Sequence, residues 1–305
     1  MKKIAVSLGD LNGVGIEIAL KSHEEISKIC EPIYCINDKL LASAAKLLDV
    51  DIPKDFRTIE MDADFEIRPS LIDAKSGKFS YESFIKAIEL CEKQDSDALV
   101  TMPIHKEAWS LAGLDYKGHT DLLRKYFKQE AIMMLGCQEM FVALYTEHIP
   151  LKDVSKNIKQ DKLESFLLDL DNSLEKAKIA VLGLNPHAGD NGVLGNEERE
   201  IEASIKSVND KIGYERYEGC LVPDVAFTPD ARKNYKYYVA MYHDQGLIPL
   251  KALYFDESVN ISLNLPIVRT SVDHGTAFDI AYKNKAKNIS YINAVKSALS
   301  LCNKE

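Results

Sequence analysis

The sequence predicts an α/β fold, and three observations carry the prediction. Short apolar runs of strand length recur along the chain, at Lys3–Leu8, Pro32–Ile36, Ala98–Thr101, Lys178–Leu184 and Tyr237–Met241. Stretches with helical spacing alternate with them, among them Ile16–Ile29, Lys39–Leu48, Tyr81–Cys91 and Ile289–Leu301. Polar and titratable residues cluster just past the strand ends, where open α/β sheets bind ligands. With 305 residues, two lobes are expected rather than one.

Composition narrows the class of partner. A hydrophobic content of 46% with 28% charged residues is ordinary for a soluble globular protein. The net charge of -9, with no basic tract, argues against a nucleic-acid partner. A small anionic substrate stays open, because a local group of Lys, Arg and His can be basic within an acidic protein. The six cysteines form no CxxC pair, no secretory leader precedes Gly9-Asp10, and no apolar run is long enough to span a bilayer. These features predict a reduced, cytoplasmic protein with no membrane partner, whose cysteines fill the core.

In chain order, Lys3–Leu8 breaks at Gly9-Asp10-Leu11-Asn12-Gly13-Val14-Gly15 and resumes as a helix. A glycine turn between strand and helix can cradle phosphate. Ile18 stands where the dinucleotide fingerprint GxGxxG needs its third glycine, so an ordinary Rossmann site is unsupported. On the glycines alone, a plain connecting turn accounts for the segment. Asp49–Lys78 is polar and irregular, with Pro53 and Pro69, and reads as a surface excursion. His105 and Lys106 follow the strand run at Ala98–Thr101. Gly118-His119-Thr120 ends one element and opens a helix; Thr120 suits a cap, and the same geometry suits an anion. The apolar runs Ala131–Leu135 and Met140–Thr146 follow, and then a helical stretch from Leu151 to Leu170. Asn196 is a plausible cap for a charged helix.

The stretch from Val239 to Ala277 organises the rest. It carries His243-Asp244 and Asp273-His274 between apolar runs, together with Lys251, Asn260 and Arg269. Lys and Arg bind anions, His binds metal, and Asn bonds to either. His148, His187 and His243 each follow a strand-like run in distant parts of the chain. Three neutral imidazoles suit a divalent transition metal with an open position. Three unrelated loop histidines would give the same spacing, since no HxxxH or HExxH motif is present.

Four segments resemble the 4-hydroxythreonine-4-phosphate dehydrogenase family of pyridoxine phosphate biosynthesis: Gly118-His119-Thr120, LNPHAGDNG at Leu184–Gly192, MYHDQG at Met241–Gly246, and RTSVDHGTA at Arg269–Ala277. The opening SLGDLNGVGIE is similar too, with Leu8 and Leu11 where the family more usually has prolines. The likeness covers essentially the whole chain and is weakest over Asp49–Lys78.

The resemblance implies two α/β/α lobes with a cleft between them, like isocitrate and isopropylmalate dehydrogenases. The expected division is 1–120 plus 270–305 for the first lobe, and 121–269 for a second lobe with the metal ligands and dimer interface. It implies metal ligation by His148, His187 and His243, the last reaching from the partner subunit of a homodimer, with Asp224 near the metal. His119, Thr120, Lys251, Asn260 and Arg269 match substrate contacts. The implied cofactors are NAD, with NADP open, and one divalent ion such as zinc, magnesium or cobalt. The implied reaction oxidises 4-phosphooxy-L-threonine to a β-keto acid that loses CO₂ to give 3-amino-2-oxopropyl phosphate. Asp244, Asp273 and a water on the metal are equal candidates for the proton acceptor. The rivals are a sibling dehydrogenase of a sugar acid such as threonate 4-phosphate, an NAD-independent metal-dependent aldolase or hydrolase, and a silent metal- or phosphate-binding protein.

Overall fold

The computed structural model describes residues Met1–Asn303. The described chain divides into two compact units. The first comprises Met1–Gln129, Val259–Ile261 and Leu265–Asn303; the second comprises Glu130–Ser258 and Ser262–Asn264. The division read from sequence differs from this over the helix His119–Phe127 and over residues 259–261 and 265–269. That helix stays with the first unit because Leu122 and Leu123 are buried and its His119 ring meets Phe84 and Trp109. Asn260 and Arg269, placed in the second lobe by the sequence division, belong to the first unit as well.

The first unit runs β1 (Lys3–Ser7), α1 (Gly15–Ile26), β2 (Glu31–Cys35), α2 (Asp38–Leu48), the short β3 (Arg57–Thr58), α3 (Ala74–Glu92), β4 (Ala98–Thr101), α4 (Lys106–Leu111) and α5 (His119–Phe127). Its strands are ordered β3-β2-β1-β4 and then the two late strands described below. β1 pairs in parallel with both β2 and β4. Parallel strands covered on both faces need continuous apolar runs, and β1 is buried at every position after its first. Asn37 caps α2 through Leu40 N, and Asp73 caps α3 through Lys75 N. The polar excursion is tied back to the glycine turn by one buried side chain. Asn12 Oδ1 accepts from Arg68 N at 2.8 Å, and Asn12 Nδ2 donates to Leu71 O at 2.8 Å.

The second unit runs β5 (Ile132–Cys137), β6 (Met140–Leu144), α6 (Leu151–Asn157), α7 (Gln160–Ser173), β7 (Ile179–Leu182), α8 (Glu197–Ile212), β8 (Tyr217–Leu221), α9 (Pro223–Ala226), β9 (Tyr237–Ala240) and α10 (His243–Tyr254). Its strand order is β5-β6-β9-β7-β8. β6, β9, β7 and β8 pair in parallel, whereas β5 and β6 are antiparallel. The link Gln138-Glu139 is too short for a parallel crossover, so a hairpin is the only possible connection. The helix α10 was not anticipated from sequence, because Gly246 and Pro249 interrupt its pattern. Packing explains Gly246: a Cβ there would lie 2.9 Å from Ala240 Cβ on β9. The inner face of α10 buries Leu247 and Leu250 beside Val142 and Ala240.

The chain closes with β10 (Val259–Leu263), β11 (Arg269–Val272) and α11 (Ile289–Cys302). β11 pairs in parallel with β4, and α11 packs on both. All six cysteines are free, and Cys30, Cys35, Cys91 and Cys137 are buried as core residues. Among the described residues no helix is long and apolar enough to cross a membrane.

Candidate active site

In the first unit the site residues gather around Arg269, the first residue of β11. The parallel register sets Arg269 opposite Leu99 and Ser271 opposite Thr101, so the guanidinium reaches along β4. Arg269 Nη2 donates to Thr101 Oγ1 at 2.7 Å, and Nη1 lies 3.5 Å from Asn260 Oδ1 on β10. The residue is 2% exposed. Burial pulls its pKa down to about 9, which leaves it charged at neutral pH. A charge kept in so dry a place favours an anionic ligand that can face it bidentately.

His119 opens α5 with its ring edge-on to Phe84 at 4.7 Å and to Trp109 at 6.0 Å. Its Nε2 is buried and has no hydrogen-bond partner among the described residues. Burial holds the imidazole pKa well below 6.5, and the positive charge of Arg269 adds to that. His119 is therefore neutral at physiological pH and able to exchange one hydrogen bond with a ligand. Thr120 is the second residue of α5; Gly118 occupies the cap position, so the capping role read for Thr120 falls to a glycine. Asn196 likewise stands at the cap of α8 without a side-chain cap bond. Asp273 follows β11, half-buried, with its backbone N–H bonded to Ser290 Oγ at 3.1 Å.

In the second unit, His148 follows β6 and His243 opens α10, with ring centroids 5.5 Å apart. Two imidazoles on one tetrahedral ion have centroids on the order of 5 Å apart, so the spacing suits a shared metal. His243 Nδ1 is 2.7 Å from Asp244 Oδ1. That contact fixes the ring and leaves Nε2 for a ligand, the arrangement in which a carboxylate orients a metal-binding histidine. Asp244, a candidate proton acceptor on sequence grounds, is thus engaged with His243. His187 lies in a turn after β7 and is exposed. Among the described residues, no group of three or more His, Cys, Asp and Glu side chains that could hold an ion is assembled. Asp224 is exposed on the one-turn helix α9. Lys251 lies on α10, its Nζ 3.5 Å from Ser258 Oγ and 5.4 Å from the Phe255 ring centroid, in a different unit from Arg269 and Thr120.

The sequence profile of a family described as "Pyridoxal phosphate biosynthetic protein PdxA" matches residues 28–298. The chain belongs to this family. A PdxA-family relative named 4-hydroxythreonine-4-phosphate dehydrogenase, from Sulfurimonas denitrificans, is 65% identical over 98% of this chain and 97% of its own length. The crystal structure of a protein of the same name from Klebsiella pneumoniae is 32% identical, with a TM-score of 0.85 over 99% of this chain and 100% of that one. A β-decarboxylating dehydrogenase from Thermococcus kodakarensis covers 100% of this chain and 85% of its own, at 12% identity and a TM-score of 0.54. At that identity the likeness is one of fold alone, and it agrees with the α/β class read from sequence.

In this PdxA-family chain two residues beside the site escaped the reading of the sequence. Thr101 ends β4 and holds Arg269; its place at a strand end was the available signal. Gln245 accepts from Met241 N at 2.7 Å and donates to Gly183 O at 2.6 Å. It thereby ties the end of β9, which leads to His243, to the end of β7, which leads to His187. No periodicity marks such a clasp, because its partners are distant in sequence.

Proposed function

We propose that the chain is a 4-hydroxythreonine-4-phosphate dehydrogenase. It oxidises the secondary alcohol of 4-phosphooxy-L-threonine, and the β-keto acid loses CO₂ to give 3-amino-2-oxopropyl phosphate for cytoplasmic pyridoxine 5'-phosphate synthesis. The observation that carries this is the 65% identity, over 98% of the chain, to a relative of that name.

The buried charge of Arg269, oriented by Thr101 and Asn260, holds the substrate phosphate, with the Thr120 hydroxyl beside it. Lys251 neutralises further anionic charge on the substrate. Neutral His119 offers its buried Nε2 to a substrate oxygen. His148, His187 and His243 are the metal ligands, Asp224 lies near them, and Asp244 keeps the His243 ring turned. When bound, a divalent ion supplies a Lewis acid for the alcohol and keto oxygens, and NAD or NADP accepts hydride. The turns after β1 and β4 suit the cofactor, because the strand order reverses between these parallel neighbours, at a topological switch point. Asp273 is the remaining carboxylate candidate for proton acceptor.

The active unit of this proposal is a homodimer. In its support, α10 turns apolar side chains outward: Ile248 is 67% exposed and Phe255, at its C-terminus, is 70% exposed. His243 sits on the same helix, so a partner covering that face would bring the two subunits' ligands together. The 5.5 Å approach of His148 to His243 supports a second arrangement, in which both serve an ion held by one chain.

Activity is tested by nicotinamide absorbance with 4-phosphooxy-L-threonine and threonate 4-phosphate side by side, in the presence of divalent metal. A higher kcat/KM for the amino acid is expected. Preference for threonate 4-phosphate would assign the sibling activity. Substrate turnover without cofactor reduction would point to an aldolase or hydrolase.

A further inference from the structure

The turn that presents His187 is left-handed over five consecutive residues. His187, Ala188, Gly189, Asp190 and Asn191 have φ values of 54°, 49°, 78°, 44° and 55°. Only one of the five is glycine, and L-residues adopt this region at a steric cost. A run of this kind persists only where its surroundings over-determine it.

The surroundings converge on one carboxylate. Glu198, in the first turn of α8, is 5% exposed. Its Oε1 accepts from Leu184 N at 2.9 Å and from Asn185 N at 2.7 Å, where the turn begins. Its Oε2 accepts from Asn185 Nδ2 at 2.9 Å. The same oxygen fills the space beside Gly189, where a Cβ would lie only 2.6 Å away. Leu194 N then bonds back to Gly189 O at 3.0 Å and closes the exit. The carboxylate therefore touches both the entry and the apex of the turn. Its charge is also well placed electrostatically, at the N-terminus of α8.

We propose that Glu198 is a positioning residue: its buried carboxylate imposes the left-handed His187–Asn191 turn and so aims the His187 imidazole at the metal. This rests on the assignment of His187 as a metal ligand. Glu198 Oε1 accepts from two backbone N–H groups and Oε2 from the Asn185 side-chain amide, so both oxygens act as acceptors. An amide in place of the carboxylate presents a donor on one side and must lose either the two backbone bonds or the bond from Asn185 Nδ2.

The experiment is a Co²⁺ titration of the metal-free, full-length protein, followed by the cobalt d–d absorption, for wild type, Glu198→Gln, Gly189→Ala and His187→Ala. Amide hydrogen exchange of residues 184–195 is measured alongside. Glu198→Gln is expected to bind Co²⁺ about 10- to 100-fold more weakly, with faster exchange across residues 184–195. Gly189→Ala keeps the carboxylate but pushes on it and strains the turn, and is expected to weaken binding in the same sense. It decides the matter if Glu198→Gln does not fold. Weaker binding in His187→Ala with wild-type binding in folded Glu198→Gln and Gly189→Ala would overturn the positioning role and leave the ligand assignment standing. Wild-type binding in His187→Ala would overturn both, since the turn would then present no ligand.

Discussion

Arg269 donates from Nη2 to Thr101 Oγ1 at 2.7 Å, and this bond fixes the direction of a cation that is 2% exposed. A guanidinium held in this way spends little conformational entropy when an anion arrives. Arg269→Met should cost about 2–5 kcal/mol of binding to the phosphorylated substrate, a rise in KM of roughly thirtyfold at the least. The check is to measure KM for the phosphorylated substrate and binding of its dephosphorylated analogue. Equal losses for both would remove the phosphate from Arg269.

Replacing His148, His187 or His243 by Ala should each lower metal content and turnover, because a three-imidazole site loses a direct ligand. Elemental analysis after exhaustive dialysis reads the outcome. Full occupancy in all three variants would end the metal assignment.

Sharing of ligands between subunits is read by complementation. His148→Ala and His243→Ala should each be nearly inactive. In a mixed dimer with shared sites, one site collects both lesions and the other none, so activity should return to a fraction of wild type. If subunits demonstrably exchange and nothing returns, both histidines serve the same chain's ion, as their 5.5 Å approach would allow.

His119 predicts an acid-side loss of stability. Its folded pKa is held well below 6.5 by burial and by Arg269. The unfolded chain takes up a proton as pH falls through about 6.5 while folded His119 refuses it, so stability drops with pH in that window. His119→Gln removes the titration and should lose less stability than wild type between about pH 7 and about pH 5. Thermal melts of both proteins at both pH values test this; identical losses would mean that the imidazole protonates as readily in the folded protein.

Much of the fold and part of the site were legible in the sequence because their signals are local. Buried parallel strands need continuous apolar runs, which is why β1, β4, β7 and β9 stood out. Helix α11 was marked by its own periodicity, and the histidines by their place after strand-like runs. Tertiary structure decided the rest, since it depends on partners far apart along the chain. Close packing against β6 and β9 makes a helix of the segment containing Gly246 and Pro249. Burial in the first unit turned Arg269 from a charge near a strand into an oriented cation paired with Thr101, a residue 168 positions away. Turn formers at Gly189, Asp190 and Asn191 marked a loop at His187, but not the contact of its entry with the carboxylate of Glu198, which accepts from Leu184 N and Asn185 N more than a dozen positions away. Periodicity records which face of an element is buried; only the folded chain brings together the distant groups that fix a side chain's direction and charge.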